Sequence, residues 1–335
     1  MKKLISVVVP IYNVQEYLKE ALESLQNQTY KNFEVIMIND ASNDGSLNIA
    51  KSFINDKRFR LINFPSNKGL SVARNVGIKH TKGDILYFFD SDDKIPLNLF
   101  EILISEFYGK ENYPDVVSFN STRLKKKNAR KTRVVSRELL NPIKLWQKVL
   151  NHQIETAPWS YSMKRKIVVE PTPIEFPVGK YFEDITFTPQ LFERSKVTEI
   201  LQLDPAGYYY RRNNMASITN SKSKEKVLKK ITDKYDLINK KKDILNSQHV
   251  DKIDLNKWYF IELVNMYIEY FNEAYQYDSY FFKKLKKDLN YLYNSQKFKL
   301  SKKEKMRFDV VNNQFYAFFC FNWKKVKKAL KKYIN

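Results

Sequence analysis

One pattern constrains this chain more than any other: over residues 4–120, short runs of β-branched and aromatic residues alternate with longer segments of helical spacing. LISVVVP (4–10) reads as a strand, and after it Tyr17, Leu18, Ala21, Leu22 and Leu25 recur on one helix face. FEVIMIND (33–40) predicts a second strand and residues 46–55 a second helix. FRLINFP (59–65), a helix after Gly69, and DILYFFD (84–90) repeat the unit, with DVVSFN (115–120) as a further strand. Strands that alternate with helices predict a parallel sheet flanked by helices. Ligands of open α/β sheets bind beyond the C-terminal ends of the strands. Tyr12 and Asn13, Asn39 and Asp40, Asn67, and Asp90 to Asp93 are therefore expected to converge on one crevice.

The end of the fourth strand is an electrostatic anomaly. The chain carries 59 Lys and Arg against 37 Asp and Glu, a net charge of +22, yet FFDSDDK (88–94) gathers Asp90, Asp92 and Asp93 within four positions. Carboxylates this close repel, and burying them is costly without a cation or hydrogen bonds. A hard divalent cation such as Mn2+ or Mg2+ suits the oxygen donors; alternatively Asp92 or Asp93 caps a helix starting near Pro96. In INDASNDGS (38–46), Asp40 can accept from a base N–H while Asn43, Asp44 and Gly45 shape the turn, or the segment is an ordinary strand-to-helix loop. NKGLSVARNVG (67–77) sets Arg74 on a helix, where it pairs with a diphosphate or makes a surface salt bridge. No G-x-G-x-x-G follows the first strand and no Walker A sequence is present, which disfavours a dinucleotide enzyme or a phosphate-loop kinase.

VVVPIYN (7–13), INDASNDGS, NKGLSVARNVG and FFDSDD, in this order and at these intervals, resemble the family 2 glycosyltransferases of GT-A fold. The resemblance covers residues 4–120 closely and 155–220 more loosely. It implies that Pro10 and Tyr12 border the nucleotide base, that Asp40 hydrogen-bonds it, and that Arg74 lies against the base or diphosphate. Asn67 and Ser91 join the nucleotide-binding set, Asp90 addresses the ribose, and Asp92 ligates Mn2+ or Mg2+. Asn39 departs from the aspartate often found there in the family.

GKYFEDITF (179–187) resembles the family's Glu-Asp pair, so Asp184 is the expected catalytic base, with Glu183 beside it in the acceptor or donor-sugar pocket. As a bare pattern the pair also suits a helix N-terminus. Trp159, in APWSYSMKR (157–165), is either a wall of that pocket or a core tryptophan. In GYYYRRNNMASIT (207–219), Arg212 and Ser217 are implied to close over the diphosphate, although YYYRR also alternates as a strand does. The activity implied is metal-dependent, inverting transfer from a nucleotide sugar, specifically a UDP-sugar, to an acceptor hydroxyl. The implied product is a bacterial capsular or exopolysaccharide, with teichoic acid and protein glycans as alternative acceptors. A glycosidase also uses two carboxylates but has no need of the nucleotide motifs.

The expected organisation is a glycosyltransferase domain over 1–220, with a nucleotide-binding half (1–120) and an acceptor-side half (121–220), followed by a basic helical module (221–335). RLKKKNARKTRVVSR (123–137) is expected to be an exposed loop or hairpin. From Lys222 onward, Lys, Leu, Ile, Tyr and Phe recur at helical spacing without Gly or Pro. In FNWKKVKKALKKYIN (321–335), Trp323, Val326, Leu330, Tyr333 and Ile334 form a stripe among six lysines. Such a helix packs on protein or docks on anionic lipid, the latter suiting a lipid-linked acceptor.

No window reaches the roughly 18 apolar residues of a membrane span. MKKLISVVVP lacks a small-residue cleavage site and reads as a strand. The single cysteine, Cys320, excludes an internal disulfide and fits a reducing compartment. The expected location is cytoplasmic, with peripheral contact at the inner membrane face as an option. Two competing classes are a nucleic-acid-binding protein, whose lysines and 22 tyrosines would contact phosphates and bases, and an inactive scaffold. The first leaves the ordered aspartates without purpose, so no nucleic-acid partner is expected; retained Asp40, Asp92 and Asp184 argue against the second.

Overall fold

The computed structural model describes residues 2–109, 113–125, 131–211, 223–248, 250–275, 277–296 and 298–313. Arg212, Ser217 and the 321–335 segment lie outside the described residues. The chain divides into two compact units, Met1–Asn220 and Ser221–Asn335.

The first unit begins with the alternating pattern: β1 (Ile5–Ile11), α1 (Gln15–Gln26), β2 (Phe33–Asn39), α2 (Ser46–Phe53), β3 (Phe59–Asn63), α3 (Leu70–His80), β4 (Ile85–Phe88) and α4 (Leu99–Tyr108). It continues with β5 (Val116–Phe119), β6 (Ser121–Arg123), β7 (Arg133–Leu140), α5 (Pro142–Leu150), β8 (Tyr161–Lys164), α6 (Arg165–Val169), α7 (Asp184–Arg194), β9 (Thr198–Asp204) and β10 (Tyr208–Tyr210). Eight strands form one sheet in the order β3-β2-β1-β4-β8-β5-β9-β7. β1, β2, β3 and β4 pair in parallel, as do β5 and β9. β8 runs antiparallel between β4 and β5, and β7 antiparallel on β9.

Burial explains the centre of this sheet. Every residue of β1 and β4 is buried, as central strands covered on both faces require. Each fully buried Val, Ile, Leu or Phe contributes about 1.5–3 kcal/mol relative to exposure. On α1, Leu18, Ala21, Leu22 and Leu25 form the buried stripe. α3 lies so close to β1 that a Cβ at Gly77 would come 2.3 Å from Val8 Cγ1.

Two expectations need correction. Arg133–Leu140, which begins within the basic segment, is the edge strand β7 paired with β9 rather than a loop or hairpin, and its mostly exposed residues suit a sheet edge. Neither Asp92 nor Asp93 caps a helix: α4 begins at Leu99 and its N-cap position is Asn98. YYYRR does supply a strand, β10, which pairs in parallel with β6 in a separate two-stranded sheet.

The second unit consists, among the described residues, of α8 (Lys224–Asn246), α9 (Lys252–Ala274), α10 (Ser279–Ser295) and α11 (Lys302–Asn312), with α9 packed by the other three. Asp251 caps α9 through bonds from the Ile253 and Asp254 amides, and Ser301 with Glu304 forms a capping box on α11. Phe260 gathers Tyr293, Phe298 and Phe308 around it. No helix among the described residues is long and apolar enough to cross a membrane.

Candidate active site

The strand order reverses between β1 and β4: the chain moves outward through β2 and β3, then returns to the other side of β1. The C-terminal ends of β1, β2 and β4 therefore define the crevice. Adjacent strands lie about 4.8 Å apart, so the ends of β2 and β4, with β1 between them, are separated by about 10 Å.

At the end of β1, Pro10 is buried within the strand, in register with Ile38, whereas Tyr12 is 42% exposed and forms the rim. The following loops are laced together. Asn13 Oδ1 accepts from the Asn43 amide at 2.9 Å and Ser42 Oγ accepts from the Asn13 amide at 3.1 Å. Asp44 accepts from the amides of Gln15 and Ser46, and Ser46 Oγ accepts from Val14 N–H. The turn residues of INDASNDGS thus hold the start of α1 against the start of α2.

Asp40 is buried and both its carboxylate oxygens are engaged: Oδ1 accepts from Lys68 N–H at 2.6 Å and Oδ2 from Gly69 N–H at 2.8 Å. Asn67 Nδ2 donates to the Asp40 carbonyl at 3.3 Å. Gly69 sits at φ 90°, a conformation that favours glycine, as the chain turns into α3. Asp40 and Asn67 are thus adjacent, as their assignment to one binding surface requires. Each Asp40 oxygen keeps a second lone pair beyond its main-chain bond.

The end of β4 is built differently. Asp93 is fully buried, with Oδ2 accepting from Tyr208 O–H at 2.7 Å and Oδ1 from the Arg211 amide at 2.7 Å. Burial, then the charges of Asp92 and Asp90, push its carboxyl up to about 8 against those two hydrogen bonds. Burial, then the charges of Asp93 and Asp90, push the Tyr208 hydroxyl well above its ordinary value. Lys94 and Tyr209 exchange main-chain bonds, which zips the acidic segment to β10.

Arg211, which sequence reasoning passed over for its neighbour Arg212, is the cation of this corner. Its Nε donates to the Asp92 carbonyl at 2.8 Å, its Nη2 to Glu20, and its guanidinium lies 4.3 Å from the Tyr17 ring centroid. Alternation in YYYRR places Tyr208 and Tyr210 on one side of β10, but their partner is set by the tertiary fold. Trp159 stacks on both, with ring centroids 4.4 Å and 5.6 Å away. This half-buried indole adjoins the core and is joined to the acidic corner through Tyr208.

The buried guanidinium of Arg74 links the segment after β4 to the start of α7. Its Nη2 donates to Asp90 Oδ1 at 3.0 Å and its Nη1 to Glu183 Oε1. This ion pair is buried, not the surface salt bridge considered from the sequence. Glu183 and Asp184 do stand at a helix N-terminus, that of α7, and Asp184 adds to the field on Arg74. Asp90, Arg74, Glu183 and Asp184 are thereby gathered at one place, and Ser91 is buried beside them in sequence.

The family model for glycosyl transferase family 2 matches residues 6–170. That match takes in just under half of the chain, and over those residues the sequence resembles the family 2 glycosyltransferases. An uncharacterized glycosyltransferase, EpsJ of Bacillus subtilis, is 32% identical over 223 residues, 64% of this chain and 62% of EpsJ. The minor teichoic acid biosynthesis protein GgaB of the same organism is 38% identical over 116 residues, 34% of this chain and 13% of GgaB. The chain thus matches under two thirds of the length of these relatives. The S. aureus TarS 1–349 crystal structure in complex with UDP-GlcNAc superposes with a TM-score of 0.63 at 18% identity, covering 92% of this chain and 79% of that one. The fold is therefore the GT-A arrangement expected from the motifs.

Proposed function

We propose that this protein transfers a sugar from a nucleotide sugar, with UDP as the carrier, to an acceptor hydroxyl with inversion at the sugar carbon. The observation that carries the reading is the convergence at Arg74: the end of β4 and the Glu183–Asp184 turn are held by one guanidinium. Asp40 and Asn67 at β2 and Asp90 at β4 lie about 10 Å apart across β1, a span that a nucleoside diphosphate bridges. Tyr12 would border the base, Asp40 and Asn67 would bond it, and Asp90 would take the ribose. The UDP-GlcNAc held by TarS, a protein of like fold, supports UDP as the carrier.

A divalent cation fits the donor set at the end of β4. No group of three or more His, Cys, Asp or Glu residues is assembled to hold a metal among the described residues, so no closed protein cage is present. Yet Asp90, Asp92 and Asp93 stand within four positions, and the charges of Asp92 and Asp90 add to burial, the main cause, in raising Asp93 to about 8. A hard ion such as Mn2+ or Mg2+ that takes Asp92 and completes its shell with phosphate oxygens and water matches that chemistry. Bound there, the ion would neutralise charge on the departing diphosphate. Asp184, at the first turn of α7, would accept the acceptor hydroxyl's proton as that oxygen attacks the sugar carbon on the face opposite the diphosphate. Trp159 and Glu183 would line the sugar side.

The acceptor reading is a bacterial surface polysaccharide, with a teichoic acid as a second reading favoured by the likeness to GgaB. The test is release of nucleoside diphosphate from a panel of nucleotide sugars, with and without Mn2+. Wild-type protein should turn over a UDP-sugar, and Asp184→Asn should lose turnover while keeping its UDP-induced rise in melting temperature. Turnover by Asp184→Asn at the wild-type rate would remove Asp184 from the role of base.

A further inference from the structure

The roles assigned above do not absorb the partners of Arg74. A diphosphate-binding arginine keeps N–H groups open to the crevice, but Arg74 is 3% exposed and both its Nη atoms donate to carboxylates. Its Nε is enclosed without a hydrogen-bond partner. The guanidinium lies 5.1 Å from the Phe176 ring centroid, and that ring stacks at 3.9 Å on Phe187, in the first turn of α7. Next along α3, Asn75 donates to the Phe176 carbonyl at 2.9 Å and accepts from the Phe176 amide at 2.8 Å. Arg74 and Asn75 thus grip the strap that leads into α7.

The two carboxylates on Arg74 are unequal. Asp90 is 27% exposed and Glu183 13%, so a ligand in the crevice reaches Asp90 more readily. A planar guanidinium with donors in a fixed fork can hold both at once, which a lysine ammonium on its flexible stem cannot reproduce. A ribose that bonds Asp90 therefore settles one end of a link whose other end is the turn that carries Asp184.

We propose that Arg74 is a positioning residue, which ties Asp90 to Glu183 so that a nucleotide bound at the end of β4 orders the first turn of α7. This rests on the nucleotide-sugar reading and deepens it: the base would be held more firmly when the donor is present. Such a coupling is reciprocal, so ordering of α7 would in turn strengthen nucleotide binding.

Amide hydrogen exchange on the full chain, with and without saturating UDP and Mn2+, tests it. The reporters are the amide of Ile185, bonded to the Phe182 carbonyl, and that of Phe187, bonded to the Glu183 carbonyl. In wild type, UDP should slow exchange there by about fivefold or more. In Glu183→Gln and in Arg74→Lys, calorimetry should still detect UDP binding and the amides of residues 66–69 should still be protected, while the slowing at 185 and 187 is lost. A purely structural role would change exchange equally with and without UDP. The proposal is overturned if UDP binds wild type without slowing exchange at α7, or if Glu183→Gln keeps the wild-type slowing. If wild type binds no UDP, the nucleotide reading falls and this proposal with it.

Discussion

Asp40 shows how one side chain can serve structure and ligand together. Its two oxygens take the amides of Lys68 and Gly69 just before α3, so the carboxylate shapes the loop that also carries Asn67. Replacing it with alanine leaves two main-chain donors near the crevice without their acceptors. Asp40→Ala should therefore lose about 1–3 kcal/mol of stability in the absence of any nucleotide, read as a lower urea midpoint at unchanged slope. An unchanged midpoint would mean that water replaces the carboxylate at no cost. The importance of Asp40 was legible because it ends an apolar run inside a recognisable motif. Its partners were not, because a main-chain amide bears no side-chain signature. Arg74 is the sharper case: the sequence marked it as notable and offered a diphosphate or a surface salt bridge, and the structure shows a buried pairing with two carboxylates of the protein itself.

Among the elements, the turn between α2 and β3 offers a pH-dependent test. Arg58 donates through Nε and Nη2 to Asp56 at 2.9 Å and 2.6 Å, and its Nη2 also reaches the Gln26 carbonyl at the end of α1. Arg58 holds the Asp56 carboxyl down to about 2. A carboxylate depressed in the folded state adds stability above its unfolded value of about 4 and loses it as pH falls toward 2. Asp56→Asn should accordingly melt below wild type at pH 7, and the two melting temperatures should converge as pH falls from about 4 to 2. A gap independent of pH would assign the difference to packing. The elements from β1 to β4 were legible from their apolar runs, since buried parallel strands need such runs. β7 was not, because an edge strand exposes most of its side chains and its pairing with β9 lies far along the chain.

For the molecule as a whole, the charge of +22 and the apolar stripe within 321–335 motivate one more proposal: this segment docks on anionic lipid. Full-length protein should sediment with vesicles containing anionic lipid and not with neutral ones, and truncation before Asn322 should lower the bound fraction. Equal binding by both forms would assign the attraction to lysines elsewhere. By itself the sequence determined the strands and helices from β1 to β4 and the edge where their polar ends meet, because hydrophobic periodicity and ordered motifs are local properties. Only the tertiary structure decided that β8 is inserted between β4 and β5, that Arg211 serves the acidic corner, and that Arg74 binds Glu183 across 109 positions of sequence. Those outcomes depend on which distant segments share the space beside a buried charge. A buried guanidinium must be compensated by whatever carboxylates the folded chain brings to it.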